Sequence, residues 1–183
     1  MVRWLEIGVC GLSCRLCPMY HGGGQSRCGG CKSASRMIVG CPFITCAVKK
    51  KGIEFCWDCE ESVTCEKWKK HRDASKQYDS FVCYQKLEDN IQSILEKGVG
   101  EFEKEQIIRE NLVREMLMEF NEGRSKTFYC IASTVLEIKE LEDTLQEAQK
   151  LSEGLDIKEK SKVLRQILNR IAEKKHYCLK LRK

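Results

Sequence analysis

Ten cysteines between positions 10 and 65 are the residues of this chain best equipped for chemistry: Cys10, Cys14, Cys17, Cys28, Cys31, Cys41, Cys46, Cys56, Cys59 and Cys65. Cys14 and Cys17, Cys28 and Cys31, and Cys56 and Cys59 are each separated by two residues; Cys41 and Cys46 are separated by four. Such spacings let two thiolates reach one tetrahedral ion while backbone N–H groups bond the sulfurs. A single pair of this kind arises by chance or serves redox exchange. Four pairs in one short segment point to metal.

The simplest partition is two four-thiolate sites, Cys14, Cys17, Cys28 and Cys31 in one and Cys41, Cys46, Cys56 and Cys59 in the other. A cross-braced arrangement, the first pair with the third and the second with the fourth, fits the spacing equally well. Cys10 and Cys65 are left over and can replace a member of either set, so all ten are candidate ligands. Tetrahedral thiolate sites suit zinc and iron–sulfur alike. Cys17-Pro18 and Cys41-Pro42 echo the Cys-Pro ending of a ferredoxin block, but the C-x2-C-x2-C run is absent. The long intervals between pairs are those of zinc ribbons and knuckles. The expected cofactor is about two zinc ions, with [4Fe–4S] clusters as the alternative.

Cys10, Cys14 and Cys17 also have the C-x3-C-x2-C interval with which radical-SAM enzymes hold a cluster. That chemistry needs a barrel of roughly two hundred residues with alternating strands and helices, and no such alternation follows. No acid–base pair, triad or phosphate loop is present, so no catalytic residues are expected. The run Gly22-Gly23-Gly24 lacks the Lys-Ser/Thr and helix start of a phosphate cradle and reads as a flexible loop. His21 reads as a loop histidine.

The cysteines must be positioned by the rest of the chain, which divides in two. Residues 1–70 hold both prolines and clustered glycines, and show little helical or strand period. A segment so poor in core formers needs a metal staple. It carries eleven Lys/Arg against six Asp/Glu, a net +5, whereas residues 71–183 balance at zero. Each Zn²⁺ with four thiolates has charge −2, so two such sites bring the first segment to +1. The basic residues, including Lys49-Lys50-Lys51 and Lys67-Trp68-Lys69-Lys70-His71-Arg72, thus read as a solvated face or as counter-charges to thiolates, and nucleic-acid binding is the less favoured alternative.

Residues 71–183 show helical periods. Val82, Leu87, Ile91, Ile94 and Leu95 predict a helix capped by Asp79 or Ser80 and stopped by Gly98. Ile108, Leu112, Met116 and Phe120 predict a second over 101–122. A third covers TFYCIASTVLEIKELEDTLQEAQKL, whose β-branched start is ambiguous. Asp156 and Glu159 cap a fourth, with Ile157, Leu164, Ile167, Leu168 and Ile171 on one side. A further helix begins as the cysteine region ends, within residues 64–72. Cys83, Cys130 and Cys178 read as buried small hydrophobes. The expected fold is a small metal-stapled, loop-rich cysteine module, residues 1–70, followed by an all-α domain of about four helices, residues 71–183.

No apolar run approaches the ~18 residues of a membrane span, and the first residues lack a secretory signal pattern, so a cytoplasmic location is expected. A reducing compartment keeps thiols free and favours metal over disulfides. The expected role is a structural interaction or adaptor module with a protein partner; an electron-transfer or cluster-carrier protein and a nucleic-acid-binding zinc module are the alternatives.

The strings CGLSCRLCPMY, CGGC at 28–31 and CPFITCAVKKKGIEFCWDCEESVTCEKW at 41–68 resemble an uncharacterised prokaryotic family of short cysteine-rich proteins, a domain of unknown function. Its pattern is a CGL-x-C-x2-C opening, a C-x-G-C pair, a C-x4-C-A element and a final C-x2-C-x5-C, and all ten positions match. The later NEGRSKTFYCIASTVLEI resembles the C-terminal extension of longer members. The resemblance implies zinc or iron–sulfur binding through these cysteines and no assigned reaction.

Overall fold

The computed structural model describes residues 2–23 and 27–183; Gly24, within the expected flexible loop, lies outside them. Eight α-helices and no strand are found among the described residues. Two short helices lie in the cysteine segment: α1 (Ala34–Val39) and α2 (Pro42–Ile44), the latter prolonged by a π-helical turn, Thr45–Lys50. The others are α3 (Glu66–Ser75), α4 (Leu87–Lys97), α5 (Val99–Glu119), α6 (Lys126–Val135), α7 (Ile138–Leu151) and α8 (Ile157–Lys174). The count exceeds the four helices expected, for two reasons. The first segment holds α1, α2 and the start of α3, and the expected third helix is two.

The break between α6 and α7 falls at Leu136, which is extended and wholly buried. Glu137 then caps α7 by exchanging hydrogen bonds with Glu140, a reciprocal box that normally uses Ser or Thr. The start of α4 also differs: residues 79–86 form no helix, and Lys86 occupies the cap position. Asp79 is engaged elsewhere, accepting hydrogen bonds from the Arg182 backbone and guanidinium. Gly98 stops α4 as expected and starts α5 at once. Asp156 caps α8, accepting from the N–H groups of Lys158 and Glu159.

Helix α5 is buried on two sides. Leu112 and Met116 join the main core with α6, α7 and α8, whereas Phe102 meets Ile7, Phe55 and Ile94, and Val113 meets Leu16 and Cys130. This explains why a single stripe fails to describe it: Ile108 is exposed while Leu112, Met116 and Phe120 are buried. Leu95 of α4 and Ile157 of α8 are likewise exposed. The cysteine segment thus draws apolar neighbours from α4 and α5. Cys83 and Cys130 are buried as expected, Cys83 outside any helix; Cys178, beyond α8, is exposed.

Candidate metal centre

Residues 6–17 form a tight double turn. Ile7 and Ser13 make an isolated antiparallel bridge, Gly8 N–H donates to Leu12 C=O at 2.8 Å, and Cys14 N–H donates to Glu6 C=O at 2.6 Å. Cys10 lies in the turn. Gly11 has φ +86°, and a Cβ there would stand 3.0 Å from Ile91 and 3.2 Å from Trp57, so both the conformation and the packing call for glycine. Cys14–Leu16 is a single 3-10 turn that Cys17 N–H closes on Cys14 C=O at 3.0 Å. This brings Cys14 and Cys17 to one side of the chain, where both pack with Tyr20, Val82 and Cys31.

Cys31 N–H donates to Cys14 Sγ at 3.1 Å, the bond that metal-binding knuckles give their sulfurs. The two sulfurs are also hydrogen-bonded to each other. That bond holds the Cys31 thiol down to about 7, aided by Arg36 and Lys32 and opposed by burial. The same bond, together with burial, pushes Cys14 up. Cys17 is raised by burial and by the nearby Cys31 and Cys28, and Cys28 N–H is anchored on Met19 C=O at 3.1 Å. The structure therefore brings Cys14, Cys17, Cys28 and Cys31 into one neighbourhood.

A second neighbourhood forms around Cys56. Its N–H donates to Val9 C=O at 2.8 Å, placing it beside the Cys10 turn. Burial pushes Cys56 up to about 12, and Cys10, Cys46, Cys65 and Cys41 are close enough to add to this. Cys10 is also raised to about 12, by burial first and then by Cys31 and Cys41. Cys41 sits at the cap of α2 and Cys65 at the cap of α3. Cys59 faces elsewhere: its sulfur accepts from Lys51 Nζ at 3.3 Å, and Lys51 pairs with Glu61 at 2.9 Å.

All thirteen cysteines are unbridged. Among the described residues, no three His, Cys, Asp or Glu side chains already converge as a metal cage. The thiols are gathered but not closed. Burial pushes Cys10 and Cys56 up to about 12, which disfavours a bare thiolate there and makes a bound cation the partner that would stabilise one. In donor chemistry the residues fit a thiolate-bound metal.

Two further residues stand close by: Lys32, which the sequence did not single out, and His71, read there only as part of a basic run. Lys32, next to Cys31, has a wholly buried side chain that pairs with Glu54 at 3.0 Å, bonds Trp4 C=O at 3.1 Å and lies over the Phe55 ring. Its only sequence signal is adjacency to a cysteine. His71 stacks among Phe43, Trp68 and Tyr84, and its Nε2 has no hydrogen-bond partner among the described residues. His21, by contrast, bonds the Arg15 carbonyl at 2.6 Å.

The basic runs divide. Lys32, Arg36 and Lys51 lie against the sulfurs, whereas Lys49, Lys50, Lys67, Lys69 and Lys70 are exposed. Trp68 is buried, so it offers no ring to a base, and Arg72 is paired with Glu88. A cavity of about 240 Å³ separates the Ser13 turn from α4 and α5. Its cations are matched by carboxylates, Lys97 with Glu105 and Lys86 with Asp89, so the lining carries no excess charge to draw an anion.

The thiols, their two groupings and the turns that carry them all fall within one stretch. Residues 6–70 match a family model described as Protein of unknown function (DUF3795). That match takes in all ten clustered cysteines and leaves α4 to α8 outside it. No curated protein and no solved structure gives a significant match.

Proposed function

We propose that the cysteine segment binds zinc through its thiolates at about two centres, and that the protein acts as a structural interaction or adaptor module. The gathering of nine thiols into two neighbourhoods supports this reading most directly. The Cys31 N–H bond to Cys14 Sγ and the buried Lys32 add to it. When bound, the metal supplies cross-links between sulfurs and neutralises their charge. The chain's own residues do the rest: the Ser13 and Phe55 turns aim the sulfurs inward, and Lys32, Arg36 and Lys51 offset the thiolate charge.

The adaptor role rests on the metal-binding reading; the exposed apolar side chains of the cysteine segment, Ile38 and Val63 at 84% and 91%, are single positions of a kind ordinary surfaces carry. Among the described residues, no helix is long and apolar enough to cross a membrane. The test is metal content and visible absorption of the full chain purified without oxygen. A colourless protein with about two zinc per chain is expected. A brown, iron-containing protein would replace zinc by an iron–sulfur carrier, and a metal-free folded chain would overturn metal binding altogether.

A further inference from the structure

The spacing of the cysteines groups Cys59 with Cys56, and leaves Cys10 and Cys65 without a place. The fold arranges them differently. Cys56 is hydrogen-bonded through its backbone to Val9, the residue before Cys10. Cys10, Cys56 and Cys65 all pack against one cluster, Trp68, Leu87 and Ile91. Cys56 also shares the Val9, Ile44 and Ala47 cluster with Cys41, and with Cys31, which packs against the first group as well. Three chain segments, the first turn, the Phe55 turn and the cap of α3, therefore each carry a cysteine to the Trp68 cluster, and Cys41 and Cys46 of the α2 turn lie near Cys56.

Cys59 is the exception. It belongs to neither cluster, and its sulfur is taken by the Lys51 ammonium, which is itself held by Glu61. The turn itself does not account for this: Cys56–Asp58 is a 3-10 turn closed by Cys59 N–H on Cys56 C=O, the same local form as Cys14–Leu16. The corresponding turn at Cys14–Leu16 is followed by Cys17 packed inward with Tyr20. The two C-x2-C pairs thus have the same local turn and opposite fates.

We infer that the second metal centre is built on Cys10, Cys56 and Cys65, with its fourth sulfur from the Cys41–Cys46 turn, and that Cys59 is not a ligand. This rests on the proposal that the segment binds metal. A centre closed in this way ties the first turn, the α2 turn and α3 together, whereas one closed by Cys59 would leave the first turn and α3 outside it.

The test is metal counted per chain, zinc or iron, in the full-length protein and its Cys10→Ser, Cys65→Ser and Cys59→Ser variants, purified anaerobically. Cys59→Ser should keep the wild-type stoichiometry, and Cys10→Ser and Cys65→Ser should each lose about one of two ions. Loss of metal from Cys59→Ser with retention in Cys10→Ser or Cys65→Ser would overturn the assignment. Native alkylation of the wild-type holoprotein reads the same point without relying on variants that fold: Cys59 should react while Cys10 and Cys65 stay protected, and the reverse pattern would overturn it. A wild-type chain without metal fails at an earlier step, sinking the metal-binding proposal and this assignment with it.

Discussion

Lys32 shows what the cysteine region asks of a single residue. An ammonium with no solvent exposure is costly to bury, and burial pushes its pKa down despite the opposing hydrogen bond and charge of Glu54. Glu54 in turn accepts from the N–H groups of Arg3 and Trp4, so Lys32 closes a knot between the first residues and the Phe55 turn. Replacing it with Met removes the charge and leaves Glu54 with backbone partners only. Lys32→Met should therefore lower stability by about 1–3 kcal/mol, less than for a fully buried pair because Glu54 keeps those bonds. Denaturant unfolding of the metal-loaded chain measures it, and unchanged stability would show the knot to be dispensable. At this scale the cysteines were legible because their spacing is local. Lys32 was not, since its role depends on Trp4, Glu54 and Phe55. Gly30 was hidden for the same reason: a Cβ there would lie 2.6 Å from the Leu5 carbonyl oxygen.

Among the elements, the C-terminal tail carries a contact that no helical period reveals. Arg182 donates to Asp79 through its backbone and guanidinium, and bonds the Ser75 and Lys76 carbonyls as well. Burial alone would raise the Asp79 carboxyl; the hydrogen bonds from Arg182 and from Tyr84 N–H hold it below its ordinary range. A depressed carboxyl contributes stability that is present above its unfolded pKa and is lost as pH falls through the folded one. Wild-type stability should therefore fall on acidification below the ordinary carboxylate range, and Asp79→Asn should show a shallower fall and lower stability at neutral pH. Parallel pH titrations of both proteins, followed by unfolding at each pH, would reject the idea if the slopes coincide. The sequence offered Asp79 as a helix cap, a fair reading of local chemistry that a partner 103 residues away overrides. Asp156 met the same criterion and does cap α8, because no distant partner competes for it. The split of α6 from α7 was illegible because Glu137 takes a position where Ser or Thr would have signalled a start.

At the scale of the whole molecule, the question is how far metal in the first segment supports the helices beyond it. Periodicity divided the chain into a cysteine region and a helical one, and the helical character of both α4 and α5 was legible from it. Their second buried sides were not, because the partners lie in a segment without period. Phe102 and Ile94 are covered by Ile7 and Phe55, Val113 by Leu16, and Glu110 is held by Arg15 at 2.6 Å. Uncovering an apolar side chain of this kind costs about 1.5–3 kcal/mol. Helices α7 and α8 depend on other neighbours, since Leu141, Leu145, Leu164 and Leu168 meet within the main core. Stripping metal with a strong chelator should therefore act unevenly. Hydrogen exchange followed by mass spectrometry should show protection lost throughout residues 6–70, reduced over 87–119, and kept over 138–174. Equal loss in every helix would show that the chain unfolds as one cooperative unit. Full protection over 87–119 would show that α4 and α5 need nothing from the cysteine segment.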